Sequence, residues 1–342
     1  MMSINKIACI DSSIMSHKQD KCDIKKLISI IVPVFNESEA VAEFLTEVQI
    51  FLSNIKDEFA VNFEIVFVDD GSSDNTSDKF ASHECLFDLI VIQLSRNFGK
   101  EAAMSAGLRL CSGDAAIIMD VDLQDPPALL KEMVAQWLSG APVVLCRRID
   151  RSSDGWLKSW TALAFYRFHN WISSVKIPEN VGDFRMLDRS VINAINDLPE
   201  NRRFMKGLFA WVGFSPVFID YTRPQRRAGV SKFNGWKLWR FAIEGITSFS
   251  DVPLVVWTYV GAFISLASFL YGLFIVGKTI LYGSAVPGYA SLLTSVLFLG
   301  GIQILGIGIL GEYIGRIYSE SKRRPSYVIS KIYEYDCNLV KK

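Results

Sequence analysis

Ile117-Ile118-Met119-Asp120-Val121-Asp122-Leu123-Gln124-Asp125-Pro126-Pro127 decides how the rest of this 342-residue chain is read. An apolar run of strand type ends at two carboxylates one residue apart, with a Gln and then a Pro pair behind them. Residues i and i+2 of a strand project to the same side, so Asp120 and Asp122 can converge on one hard cation. An Asp pair in an ordinary loop is solvated and carries no such meaning. A place after a buried strand and before Pro-Pro gives this one weight.

Similar runs flank it on both sides. Residues 27–34 are a β-branched stretch ending Pro33-Val34-Phe35-Asn36-Glu37, read as a buried strand. Asn36 and Glu39 have the spacing of a capping box, and Val41, Phe44, Leu45, Val48 and Leu52 follow at helical spacing. Residues 63–68 form a second strand, closed by Asp69-Asp70-Gly71-Ser72-Ser73-Asp74. Residues 89–94 form a third, leading through Ser95-Arg96-Asn97-Phe98-Gly99-Lys100 into a small-residue helix that runs to Leu110. Residues 115–119 are the fourth strand, and 143–146 a fifth, ending at Arg147-Arg148. Strands that alternate with helical patterns predict an α/β, Rossmann-like fold with a mostly parallel sheet. Ligands of such sheets sit at the carboxyl ends of the strands. Here every carboxyl end carries polar or charged residues, which is the strongest argument from the residues for an active site. After the sheet, residues 156–175 read as an aromatic-rich helix, residues 180–185 as a turn-rich segment, and residues 204–212 as another helix.

Neither Gly-x-Gly-x-x-Gly after the first strand nor a Gly-x-x-x-x-Gly-Lys-Ser/Thr loop is present, which argues against a dinucleotide dehydrogenase or a P-loop nucleotidase. Formal net charge is zero, so bulk charge points to no nucleic-acid partner. Cys9, Cys22, Cys85, Cys111, Cys146 and Cys337 show no paired metal spacing and read as reduced thiols. His83 and His169 stand apart from any second ligand. Residues 1–25 are polar, lack the apolar core of a secretory signal, and read as a flexible extension.

Half of the residues are hydrophobic, and they are unevenly placed. Residues 252–277 and 289–311 are long apolar runs, each beyond the roughly 20 residues that cross a bilayer as a helix. Arg202, Arg203, Lys206, Arg223, Arg226, Arg227, Lys232, Lys237 and Arg240 precede the first, and Lys322, Arg323 and Arg324 follow the second. Only Lys278 lies near the short connection at 282–288. The positive-inside rule then puts both termini and the catalytic domain in the cytoplasm and the short loop outside. Over residues 232–251, Trp236, Trp239, Ile243 and Ile246 share one helical face, with Lys237, Arg240, Glu244 and Thr247 on another. That is the pattern of an interfacial helix lying on the membrane. Gly311 and Gly315, at small-xxx-small spacing, hint at helix association and a homo-oligomer, or at packing between the two spans of one chain. The organisation read from the chain is extension 1–25, catalytic domain 26–231, interfacial helix 232–251, two spans over 252–311, and cytoplasmic tail 312–342.

Val32-Pro33-Val34-Phe35-Asn36-Glu37, Val68-Asp69-Asp70-Gly71-Ser72, Asn97-Phe98-Gly99-Lys100 and the Asp120 to Pro127 stretch occur in that order. Together they resemble the family-2 glycosyltransferases of GT-A fold, in the class of the dolichol-phosphate mannose synthases. Asp183-Phe184-Arg185, Arg202-Arg203-Phe204, Arg226-x-x-Gly229-x-Ser231-Lys232 and the two spans bring it nearest to the bacterial bactoprenol glucosyltransferases that accompany O-antigen glucosylation. The residue between the paired Asp is usually Ala in that family, and here it is Val121, beside the place of the nucleotide sugar. The resemblance implies that Pro33, Phe35, Glu37 and Asp69 or Asp70 hold base and ribose, with Lys100 also at the donor. It implies that Asp120, Asp122 and Gln124 surround Mg²⁺ or Mn²⁺ at the diphosphate, and that Arg147, Arg226 and Lys232 meet phosphates. Asp183 and Arg185 would lie beside the reacting sugar.

The implied reaction is inverting transfer of a hexose, glucose from UDP-glucose in the nearest subgroup, to undecaprenyl phosphate in the bacterial inner membrane. A flippase and a periplasmic glycosyltransferase would take the lipid-linked sugar onward, into lipopolysaccharide. The alternatives are a GDP-mannose or UDP-aminoarabinose type of donor. The acceptor is a lipid monophosphate, largely dianionic near neutral pH because its second pKa is about 6. Asp183 therefore reads as a positioning and electrostatic group more than as a base. A processive polysaccharide synthase would need a Gln-x-x-Arg-Trp segment and more spans. A non-catalytic scaffold would be free to lose Asp120, Asp122 and Gln124, which are all present. A flippase would find little room for a path in two helices.

Overall fold

The protein is seen as a computed structural model that describes residues 25–74, 76, 80, 85–149, 176–178, 180–201, 203–222, 252–282 and 288–335. The readings placed on residues 1–24, on the helix at 156–175, on the basic stretch with Arg226 and Lys232 and on the interfacial helix lie outside the described residues.

Eight strands make one sheet: β1 Leu27–Val34, β2 Asn62–Asp69, β3 Asp88–Leu94, β4 Ala115–Ile118, β5 Val143–Arg148, β6 Val181–Asp188, β7 Pro216–Tyr221 and β8 Ile329–Tyr335. Among the described residues, five helices belong to the same body: α1 Ser38–Phe59, α2 Lys100–Leu110, α3 Leu129–Leu138, α4 Arg189–Asn196 and α5 Met205–Trp211. Two long apolar helices follow, α6 Val252–Tyr282 and α7 Tyr289–Ser321. The strand order is β7-β5-β6-β4-β1-β2-β3-β8. Pairs β1–β2, β1–β4, β2–β3 and β5–β7 are parallel, whereas β4–β6, β5–β6 and β3–β8 are antiparallel.

Continuous apolar strands are explained by two covered faces. Along β1, Ile28, Ile30 and Val32 join one core with Phe44, Leu45 and Val48 of α1 and Leu130, Met133 and Val134 of α3. Ile31 turns the other way, to Met104 of α2, Val191 and Ile192 of α4, and Leu208 of α5. α2 can lie this close because of Gly107, where an added Cβ would run into the Ile31 side chain. Strand order reverses between β1 and β4, and a sheet of this kind opens its ligand crevice at that point. The carboxyl ends there are Pro33-Val34-Phe35 and Met119-Asp120-Val121-Asp122.

Three local readings change. Asn36 closes no capping box: it sits at φ 53, and helix α1 starts without a side-chain cap bond. Asn36 instead ties two loops together, its side-chain oxygen accepting from the Ser73 N–H at 2.9 Å while its own N–H donates to Ser72 Oγ at 2.9 Å. The segment 180–185, read as turns, opens strand β6 and pairs with β4 and β5. The tail folds back as β8, an edge strand whose Ile329 lies opposite Leu94 at the end of β3.

α6 and α7 are long and apolar enough to cross a membrane. Phe263, Phe269, Ile280, Ile304 and Ile307 are among the residues they leave exposed, a surface unlike that of a soluble monomer. Their close approach is at Gly306, where an added Cβ would collide with the Trp257 indole. Gly311 and Gly315 have nothing within 4 Å of such a Cβ, so packing between the chain's own spans uses Gly306 instead.

Candidate active site

The parallel order of β1, β2, β3, β4 and β5 brings their carboxyl ends to one edge, and antiparallel β6 brings its amino end, with Asp183, to the same edge. Lys100, the first residue of α2, reaches across this edge. Its Nζ lies 2.6 Å from Asp120 Oδ1 and 2.6 Å from Asp183 Oδ2. One ammonium group thus joins the end of β4 to the start of β6. Its side chain is 42% exposed, so water screens the pair from one side.

The charges in this cluster pull the titrations apart. Burial alone would raise Asp183, but Lys100, Lys206 and Arg185 outweigh it and hold the carboxyl well below the usual range. Burial would lower Lys100, and the two carboxylates reverse that and hold its ammonium above the usual lysine range. Asp120 is raised, because burial and the nearby Asp183 exceed the help it receives from Lys100. Glu101 is pushed up to about 7 by burial and by Asp183, against the Met205 N–H and Lys206. Its Oε2 accepts from the Met205 N–H at 2.9 Å, which fixes the start of α5. Glu101 and Lys206 were missing from the sequence-derived site. The usable clue was a carboxylate in the first turn of a helix otherwise built from small residues, directly after Lys100.

Glu101 should therefore make stability depend on pH. Its folded value lies above the 4.5 of a free Glu, so its contribution is complete below that value and is lost as pH rises through about 7. Glu101→Gln, neutral throughout and still able to accept from Met205, should gain melting temperature relative to wild type between pH 5 and pH 8, by roughly 3 °C or more. Thermal unfolding of the full chain in detergent at the two pH values measures it, and equal differences at both would contradict it.

Beside this cluster, the paired acids of β2 organise loops. Asp69 Oδ1 accepts from the Ser72 N–H at 2.8 Å. Asp70 accepts from the Phe98 N–H at 2.7 Å and the Gly99 N–H at 2.8 Å, so the β2 loop sets the path into α2 and hence the place of Lys100. Gly71 lets the loops meet: at φ 71, an added Cβ would sit 2.5 Å from the Arg96 carbonyl carbon. Gly71→Ala should cost about 1–3 kcal/mol from backbone strain alone. It should also weaken donor binding, read as a lower melting temperature together with a raised KM for the sugar donor.

Past β4 the chain turns at Leu123, φ 51, with the Gln124 N–H donating to Asp122 Oδ1 at 3.2 Å. Gln124 Oε1 is buried and has no hydrogen-bond partner among the described residues. An orphaned amide oxygen beside two carboxylates suits a hard divalent cation, which takes oxygen donors. Among the described residues no group of three or more His, Cys, Asp or Glu assembles, so the amide is the third protein donor to hand. Asp125 is instead structural: its Oδ1 accepts from the Tyr221 hydroxyl at 2.5 Å and lies 3.6 Å from Arg148.

The other expected residues fall as follows. Phe35 and Glu37 are exposed at the end of β1, with half-buried Pro33 before them, and Val121 is buried between the two acids. Arg147 forms a two-bond pair with Asp220, at 2.7 and 2.9 Å, and its guanidinium lies 5.1 Å from the Phe218 ring. Arg185 is buried 4.0 Å over the Phe209 ring and donates to the Gly182 carbonyl at 2.7 Å, so it supports Asp183 from behind. Arg226 and Lys232 lie outside the described residues.

Residues 29–195 match the model of glycosyl transferase family 2, and residues 252–317 match the GtrB C-terminal hairpin. The bactoprenol glucosyl transferase of Shigella phage SfV is 53% identical over 304 residues, 88% of this chain and 97% of that protein. The prophage bactoprenol glucosyl transferase homolog of Escherichia coli (strain K12) is 50% identical over 307 residues, 89% of this chain and 99% of that one. Among solved structures, glucosyl-3-phosphoglycerate synthase from Mycobacterium tuberculosis is 16% identical, with a TM-score of 0.43 over 65% of this chain and 78% of that chain.

Proposed function

We propose, given that this chain belongs to the family-2 glycosyltransferases, that it transfers glucose from UDP-glucose to undecaprenyl phosphate at the cytoplasmic face of a bacterial inner membrane. The observation that carries this reading is the 53% identity to a bactoprenol glucosyl transferase, which runs through both the sheet and the apolar hairpin. In the reaction an oxygen of the acceptor phosphate attacks the anomeric carbon. The bond from that carbon to the UDP oxygen breaks with its electron pair, and a glucosyl phosphodiester and UDP result.

Asp120, Asp122 and Gln124 would hold Mg²⁺ or Mn²⁺, which when bound neutralises charge on the departing diphosphate. Pro33, Phe35 and Glu37 would flank base and ribose, with Asp69 and Asp70 shaping that wall. Lys100, 2.6 Å from Asp183, would keep that carboxyl ionised and oriented. Asp183 would then face the positive charge that develops on the sugar. Arg147, Arg226 and Lys232 would meet phosphates. Residues 232–251 would lie on the membrane, α6 and α7 would cross it with both termini inside, and a flippase and a periplasmic transferase would use the product.

A panel of labelled UDP-glucose, GDP-mannose and UDP-aminoarabinose, offered to purified protein with undecaprenyl phosphate and Mg²⁺ or Mn²⁺, tests this. Label should reach the organic phase from UDP-glucose. Lipid-soluble label from another donor in its place would reject the sugar, and none from any donor would reject the activity.

A further inference from the structure

The last turns of α7 do something that the transfer reaction leaves unused. At the end of the apolar helix, Gly315, Tyr318, Ser319 and Lys322 of α7 and its exit turn join Asn201, Arg324 and Ser326 around a cavity of about 370 Å³. That is inside the roughly 300–1,000 Å³ of ordinary ligand pockets. The wall is built by two attachments. The Asn201 N–H donates to Glu320 Oε2 at 2.9 Å, holding the loop before α5 against the helix. The Ser95 N–H donates to the Val328 carbonyl at 2.8 Å, where the chain leaves the helix to enter β8.

The lining is cationic and hydroxyl-bearing. Lys322 Nζ rests 4.0 Å over the Tyr318 ring, and neither Lys322 nor Arg324 forms an ion pair among the described residues. Two cations without an ion pair among the described residues, with two serines in the same lining, are the chemistry that receives a phosphate group. The approach along the helical face that carries Gly315 and Lys322 is open and apolar: an added Cβ at Gly308 or Gly311 would have nothing within 4 Å, and Ile304 is 71% exposed. A surface that passes from apolar to cationic along one helix matches an amphiphile, with its chains along the helix and its headgroup in the cavity. Lys100, Asp120 and Asp183 take no part in lining it. We propose that this cavity is a binding site for the phosphate headgroup of an anionic membrane phospholipid, separate from the sugar-transfer site. A lipid held there would fasten the α7–β8 junction, and through it the carboxyl edge of the sheet, to the bilayer.

The test is native mass spectrometry of the full chain in neutral detergent, titrated with phosphatidylglycerol or phosphatidylcholine. Wild type should retain one phosphatidylglycerol about tenfold or more over phosphatidylcholine, and Lys322→Gln with Arg324→Gln should lose most of that preference. Lys331→Gln, an exposed cation on β8, controls for bulk charge and should keep it. An unchanged preference in the double variant, or an equal loss in Lys331→Gln, overturns the proposal. Glycerol phosphate at millimolar concentration separates the sources: failure to displace the lipid supports the headgroup site. Its displacement of the lipid assigns the cavity to a soluble phosphate and overturns the lipid assignment. None of these readouts depends on sugar transfer.

Discussion

Asp122→Asn is expected to lower glucosyl transfer by roughly 10²–10³-fold while leaving the melting temperature close to wild type. Asp122 is exposed, and among the described residues its one hydrogen bond comes from the Gln124 N–H, which an Asn side-chain oxygen still accepts. Its loss would therefore fall on cation binding and not on the fold. Asp120→Asn should reduce transfer at least as much, and it also frees Lys100 from one of its two carboxylates. In both variants the Mn²⁺ or Mg²⁺ concentration needed for half-maximal rate should rise, and chelation of divalent ions should silence the wild type reversibly. Full turnover in excess chelator would show that the strand-end acids act without a cation.

The second large effect is expected at Asp183. Lys100, Lys206 and Arg185 hold its carboxyl well below the usual range, against the opposing pull of burial. A group so acidic is a poor general base, since a base works best with a pKa near the operating pH. Under the proposed function it serves as a fixed negative charge. Asp183→Asn should cost roughly 10²–10³-fold in kcat, and the residual rate should stay flat from pH 7 to pH 9. The acceptor phosphate loses its last proton with a pKa of about 6, so nothing in that window waits for a base. Rates that collapse in Asp183→Asn and recover as pH rises would assign true proton abstraction to Asp183.

Asp120 and Asp122 can be read from the residues alone, whereas Asp183 is singled out only by the resemblance, and the reason is physical. β1 to β4 are covered on both faces, so their sequences are predominantly apolar runs whose ends stand out against Asp, Asn and Lys. The strands that escaped notice lack that signature. β6, VGDFRMLD, mixes turn formers and charges, and it becomes a strand because β4 and β5 both pair with it. β8, ISKIYEY, is an edge strand with five of seven residues exposed, and its partner β3 is more than two hundred residues away in sequence. Pairing between distant segments leaves no local pattern to read.

The site shows the same division. Asp120 and Asp122 stand out by their place at a strand end and Asp183 only through the resemblance, but the link of Asp120 to Asp183 through Lys100 is a matter of three-dimensional reach. Asn36 looked like a cap because its spacing to Glu39 fits one, yet the loop after β2 competes for its side chain and wins. The resemblance implies a phosphate contact for Arg147, and the structure adds its pair with Asp220 of β7, a strand that the residues alone do not reveal. Glu101 carries no motif at all, and its raised titration follows from burial beside Asp183.

The central claim is that the strand-end acids and the apolar hairpin serve one reaction, sugar transfer onto a membrane-held phosphate. Mass analysis of the lipid recovered after incubation of the purified full chain with UDP-glucose, undecaprenyl phosphate and Mn²⁺ tests it most directly. The account predicts undecaprenyl phosphate carrying one added hexose, formed in step with released UDP. Release of UDP with the lipid unchanged in mass would contradict it.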